Sequence, residues 1–188
     1  MPDSKPASRR SGRASAKTFA LLGSIAIGVF ALDQFAKYLV VTHLTLNEQR
    51  DLLGTIVSLH FVENSGAAFS LGTGSTWIFA IIATLVAVFI VVFSGRIRSL
   101  AWASVFGLLL GGTVGNLADR LFRKPGFGVG HVVDFVQVIG FPAIFNIADS
   151  AIVISMGLFL ILSLRGIALD GTRTQRSARP RGTGDGVT

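Results

Sequence analysis

The chain has 188 residues, of which 51% are hydrophobic and only 14% charged, with a formal net charge of +7 and no cysteine. Soluble domains carry about 25% charged residues, so this chain is short of water-facing side chains, and the missing cysteines exclude disulfides, thiolate nucleophiles and Cys-based metal sites. Most Lys and Arg fall in two tails and one short loop, a distribution that fits a membrane protein with no nucleic-acid partner.

Residues 1–16 are rich in Arg and Ser and read as a disordered basic tail. An apolar run from about Phe19 to Val41 follows, long enough for a membrane helix, which needs roughly 20 residues. A cleaved signal peptide is the rival reading. No small-x-small cleavage site follows the run, however, and apolar sequence resumes after Asp33 as "FAKYLVV". Asp33 lies near the outer end of this span with Lys37 one turn later, which predicts a helix ion pair with a snorkelling lysine.

The segment 42–74 is too long for a plain connection. Its "TIVSLHFVEN" alternates, with Val57, Leu59 and Phe61 on one face and Ser58 and His60 on the other, the signature of a half-buried strand. "NSG" supplies turn chemistry, and "AAFSLG" is expected to return as a second strand. The second span runs from Thr76 to Phe93, and the third from about Leu100 to Ala118. The third carries Gly107, Gly111 and Gly115 at four-residue spacing, with Gly112 beside them, a pattern that lets helix backbones approach closely in lipid.

The third span ends in "GNLADRLF", where Asn116 stands three residues before Asp119 and Arg120 is the expected salt-bridge partner of that Asp. The segment 121–142 contains "HVVDFVQVIGF", another β-rich piece ending at Pro142. The fourth span, from Ile144 to Leu164, opens with "FNIADSAI", which repeats the Asn-x-x-Asp spacing as Asn146 and Asp149. Asp149 is expected about one turn inside the span, with Asn146 as a hydrogen-bond partner. Residues 169–188 read as a second polar tail; its "GTGD" imitates the GxGD of presenilin-like membrane proteases by chance.

Twelve of the seventeen basic residues lie before the first span, between the second and third, or after the fourth. The positive-inside rule puts those regions in the cytoplasm and the segments 42–74 and 121–142 outside. The fold class is therefore an all-α membrane protein of four transmembrane helices, residues 17–168, with a small extracytoplasmic β-cradle. Asp33, Asp119, Asp134 and Asp149 then gather at one depth, near the outer interface. A central intramembrane Asp costs about 2.5–3.5 kcal/mol on the insertion scale, so each needs a partner or a task. No HExxH-like spacing, phosphate-cradling loop or nucleophile set accompanies them. Two carboxylates sharing a proton can activate water against an amide. An aspartic hydrolase is permitted, and a small proton-coupled transporter or flippase using Asp33 and Asp149 remains the alternative.

Five stretches in order carry a resemblance: "DQFAKYLV" at Asp33, "ENSGAAFSLG" at Glu63, "GGTVGNLADRLF" at Gly111, "GHVVDFVQV" at Gly130 and "FPAIFNIADSAI" at Phe141. Across roughly residues 18–165 the chain resembles lipoprotein signal peptidase (signal peptidase II). The resemblance implies a bacterial inner-membrane aspartic endopeptidase without metal or cofactor. It would act on prolipoproteins bearing a diacylglyceryl-modified Cys, cut just before that Cys, and bind globomycin-type inhibitors. By motif it implies catalytic roles for Asp134 and Asp149, with Asp33, Asn64, Asn116, Asp119, Arg120 and Asn146 in support. Lys37 joins them through Asp33, and Gly66 is the expected close-approach point for substrate backbone. Substrate is expected to arrive laterally from the outer leaflet, with Val57, Leu59 and Phe61 covering the site. The stretch between Asp134 and Asp149 looks a few residues shorter than in familiar members, and both tails look longer.

Overall fold

The computed structural model describes residues 15–66 and 76–173. In chain order these form α1 (Ala16–His43), β1 (Gln49–Leu53), β2 (Val57–Asn64), α2 (Thr76–Phe93), α3 (Leu100–Phe122), β3 (Val132–Val138) and α4 (Ile147–Leu164). All four helices are long and apolar enough to cross a membrane. Between Thr76 and Phe93, α2 carries no charge and many β-branched residues. Such a run would favour strand in water; in lipid every backbone group must be paired within the segment, so it becomes a helix. The spans run a little beyond the apolar signal where polar residues are satisfied internally. Thus α3 continues past Ala118 to Phe122, whereas α4 starts only at Ile147, later than the expected Ile144, because Asn146 caps it.

Half of the most apolar window of α3 is buried, against 11–17% in the other three, so α3 is the central helix. Its glycines create that position on two faces. A Cβ at Gly107 would lie 2.9 Å from the Leu22 carbonyl oxygen, and one at Gly111 would lie 2.7 Å from that of Ala26, both on α1. Gly112 faces α4 instead, against the Ala148 carbonyl. The expected packing seam is therefore real and double. At the helix ends away from the sheet, Leu22, Ile90, Ile97, Trp102, Val105 and Phe106 form one cluster. The chain after α4 closes it. The Leu169 carbonyl accepts from the Arg98 and Ser99 N–H groups, and Trp102 Nε1 donates to the Ile167 carbonyl. The folded part thus reaches past residue 168, where the tail was expected to begin, because these carbonyls satisfy donors at the start of α3.

The three strands make one antiparallel sheet in the order β1-β2-β3. The strand at "TIVSLHFVEN" forms as expected, but its hairpin partner precedes it: β1 pairs with β2. All five β1 residues are exposed, so no alternation marks it in the sequence. The expected return strand "AAFSLG" and most of both tails, including "GTGD", lie outside the described residues. The alternation along β2 is broken by a register shift between Leu59 and Val62. Ser58 is buried, accepting from Gln49 Nε2 at 3.0 Å. Phe61 does not cover the site as expected. It packs with Val40 of α1 and Val133 and Phe135 of β3, with Leu59 alongside, and so glues the sheet to the helix ends.

Candidate active site

Asp134 projects from β3, opposite Val62 in β2, and is only 2% exposed. Asp149 sits on α4, closer to its start than the sequence implied. It is the third helical residue and half of a reciprocal cap: Asn146 Oδ1 accepts from the Asp149 N–H at 2.9 Å, and Asp149 Oδ2 accepts from the Asn146 N–H at 3.2 Å. This capping box satisfies two otherwise orphaned donors and fixes the carboxylate near the positive end of the helix dipole.

One amide joins the two acids. Asn146, fully buried, donates through Nδ2 to Asp134 Oδ1 at 2.7 Å while its Oδ1 holds the Asp149 backbone. Asn64 Nδ2 donates to the other oxygen, Asp134 Oδ2, at 2.9 Å, and Asn116 Nδ2 donates to Asp149 Oδ1 at 2.7 Å. Burial pushes the Asp134 carboxyl up to about 6, and the charge of Asp149 adds to this, while the amides of Asn64 and Asn146 and the Lys37 charge pull it back. Asn64, Asp134 and Asp149 line a groove of about 490 Å³ whose remaining wall is mostly apolar, including Phe141, Ile144 and Val153.

Beneath this pair lies a charge cluster. Lys37 Nζ sits 2.8 Å from Asp33 Oδ2, 2.8 Å from Asp119 Oδ2 and 3.0 Å from Asn116 Oδ1. Three donors meet three acceptors, and Lys37 is wholly buried. The ion pair with Asp33 is as expected. The snorkelling is not, because protein acceptors at this depth replace water. Asp33 Oδ1 also accepts from the Ala148 N–H at 2.9 Å, so a side chain on α1 caps α4.

Asp119 does not pair with Arg120. Its partners are Lys37 and Arg123, the latter Nε at 2.6 Å, and it also accepts from the Val133 N–H. Adjacent helical residues point to different faces, whereas Arg123 is four residues on and shares one. That spacing was available in the sequence and marked a residue the reading missed. Gln34 was also missed: its Nε2 lies within 3.3 Å of Asp33 Oδ2, the Gly115 carbonyl and Asp119 Oδ1, and no local pattern announces it.

Arg120 is 9% exposed, its guanidinium lies 5.1 Å from the centre of the Phe79 ring, and its Nη1 is buried with no hydrogen-bond partner among the described residues. Gly66 stands beside it with φ 105°, its N–H donating to Asn64 Oδ1 at 2.8 Å. A Cβ at Gly66 would fall 2.6 Å from the Phe79 ring and 3.4 Å from Arg120 Nη1. The glycine is thus required by its own backbone and by the packing under it. Asp33, Lys37, Asn64, Asn116, Asp119, Asp134, Asn146 and Asp149 therefore form one hydrogen-bonded assembly at the helix ends nearest the sheet, with Gly66 and Arg120 beside it and Asp134 and Asp149 on its groove-facing side.

The family model described as signal peptidase (SPase) II matches residues 25–165. A protein named lipoprotein signal peptidase from Leifsonia xyli subsp. xyli is 56% identical over 161 residues, covering 86% of this chain and 74% of that one. One of the same name from Rhodococcus jostii is 47% identical over 153 residues, covering 81% of this chain and 77% of that one. A solved bacterial membrane enzyme superposes with a TM-score of 0.71 at 27% identity, covering 89% of this chain and 97% of the other.

Proposed function

The chain belongs to the signal peptidase II family, a membrane aspartic endopeptidase of lipoprotein processing, and on that premise we propose that Asp134 and Asp149 are its catalytic pair. The observation that carries this is their shared groove and shared amide, Asn146. A carboxylate takes a proton from water as the water oxygen attacks the scissile carbonyl carbon. The other carboxyl protonates the carbonyl oxygen. The tetrahedral diol then collapses, a diol proton returns to the pair, the C–N bond breaks, and the leaving nitrogen gains a proton.

The supporting residues take roles that follow from their contacts. Asn64 and Asn146 orient Asp134, Asn116 orients Asp149, and Asp33, Lys37 and Asp119 tie α1, α3 and α4 together. Arg120 brings a buried donor without a partner among the described residues, suited to a peptide carbonyl of the substrate entering beside Gly66. The apolar wall of the groove suits a precursor whose Cys carries a diacylglyceryl group and which arrives from the outer leaflet; a globomycin-type inhibitor would compete there. The transporter alternative draws no support from these relatives, both of which carry the peptidase name.

The lipid requirement is tested by incubating purified enzyme with one precursor in diacylglyceryl-modified and unmodified forms. The modified form is expected to shift to the mature size at least about tenfold faster, the factor that 1.4 kcal/mol of extra lipid binding supplies. Equal cleavage of both forms would overturn the lipid reading. The orientation with both termini cytoplasmic rests on the basic residues. Single cysteines at the exposed positions 52 and 95, probed with an impermeant thiol reagent in intact spheroplasts, are expected to label at 52 only. Labelling at 95 alone would invert the protein.

A further inference from the structure

The two amides that donate to the acids from neighbouring elements, Asn116 and Asn64, are anchored differently. Asn116 Nδ2 donates to Asp149 Oδ1 at 2.7 Å, while its Oδ1 accepts from Lys37 Nζ at 3.0 Å and from Asn146 Nδ2 at 3.1 Å. An ammonium group has donors only, so the Lys37 contact fixes which end of the Asn116 amide is oxygen and turns the NH2 toward Asp149. A full positive charge on the oxygen also polarises the amide and strengthens its N–H as a donor. Asn64, the counterpart on Asp134, has among the described residues only the neutral Gly66 N–H on its oxygen.

The remaining surroundings are unequal in the same sense. Asp149 also accepts from the Asn146 N–H and stands in the first turn of α4, where a negative charge is stabilised. It is partly open to the groove, whereas Asp134 is buried. The charged groups around Asp149 are Arg120 from α3, Asp134 from β3, and Lys37 of α1 acting through Asn116. The nearby carboxylates Asp33 and Asp119 are already matched by Lys37 and Arg123.

We infer that Lys37, acting through Asn116, is a positioning residue that keeps the negative charge of the catalytic pair on Asp149, so that Asp149 is the base and Asp134 the acid. This rests on the pair proposed above and adds an order to it. Asp149 takes the water proton as the C–O bond forms, and Asp134 gives its proton to the carbonyl oxygen. In the collapse Asp134 recovers a proton from the diol, Asp149 gives its proton to the Cys nitrogen, and the C–N bond breaks. The pair ends as it began. The buried Asp134, pushed up to about 6, fits the proton-carrying role.

The test is the pH profile of kcat/KM on a lipid-modified precursor, per mole of folded enzyme, for wild type, Asn116→Leu and Asn64→Leu. The limbs of that profile report the essential base and acid of the free enzyme. Asn116→Leu removes a donor from the base and leaves the ion pairs of Lys37 in place, so the acid limb moves to higher pH. The expected shift is about one to two units, the worth of a hydrogen bond to a charged group. Asn64→Leu removes a donor from the ionised form of the acid, so its proton is held longer and the alkaline limb moves up instead. Should Asn116→Leu fold poorly, Asn116→Ala removes the same donor with less bulk. A merely structural Asn116 would lower the amount of folded enzyme and move neither limb, which overturns the inference. The crossed result, with Asn116→Leu moving the alkaline limb and Asn64→Leu the acid limb, reverses the roles. Loss of the pair itself is a separate outcome, read from the Asp→Asn variants and not from these.

Discussion

Asp134→Asn and Asp149→Asn are each expected to lower single-turnover cleavage by about a thousandfold or more, while Asp119→Asn keeps measurable activity per folded molecule. Proton transfer by one positioned group contributes about 10²–10⁴-fold, and members of a catalytic unit fail together because neither works alone. An Asn at 134 or 149 preserves shape and an acceptor but cannot cycle a proton. The repeated Asn-x-x-Asp spacing invites a different, symmetric pair of Asp119 and Asp149. Geometry argues against it. Asp119 Oδ2 is held by Lys37 and the Val133 N–H, and Oδ1 by Arg123. A carboxylate so occupied has no lone pair for water and no reason to share a proton. Measurement at matched amounts of monodisperse protein separates the two pairings: a dead Asp119→Asn beside an active Asp134→Asn would establish the symmetric one.

The reading of the repeat also marks what one-dimensional pattern can carry. The spans were legible because a bilayer demands about 20 apolar residues, and the α3 seam because glycine every four residues has a meaning in lipid. The strand at β3 was legible because it is β-rich and bounded by Gly130 and Gly140. β1 was not, since all five of its residues face solvent and its pairing is set by β2. The carboxylates were found through their cost, and Lys37 as the partner of Asp33 through its i,i+4 spacing, but the partners of Asp119 were not: Arg120 is adjacent to Asp119 in sequence and points elsewhere, while Lys37 reaches Asp119 from another helix. Asn146 was named as a partner of the Asp149 side chain. In the fold its N–H does donate to the Asp149 carboxylate, while its side chain binds the Asp149 backbone and Asp134, and the Asp149 side chain takes Asn116 from α3 as well. Side-chain partners across helices depend on packing angle and depth, which local spacing does not encode.

That cross-helix wiring makes Lys37→Met the largest expected stability loss in the molecule. The substitution preserves length and apolar bulk but leaves Asp33 and Asp119, both buried, facing each other without the cation that now bridges them at 2.8 Å on each side. Removing one partner of a buried pair costs about 3–5 kcal/mol, because the remaining charge is stranded. The loss reaches α4, since Asp33 caps the Ala148 N–H, and the base of the groove, since Asn116 loses its Lys37 contact. Removing the whole set is expected to be milder. In Asp33→Asn/Lys37→Met/Asp119→Asn, the amide oxygen introduced at position 33 can still accept from Ala148, the one charge left without its counter-ion is the partly exposed Arg123, and the desolvation cost of three ions disappears. Thermal unfolding in detergent, followed by the fraction that stays monodisperse, is expected to rank wild type above the triple variant and the triple variant above Lys37→Met. Non-additivity of that sign is the mark of a single coupled cluster. A Lys37→Met protein as stable as wild type would mean that the three groups do not act as one, and the triple variant falling below the single would show that each ion pair stabilises the helix ends by itself.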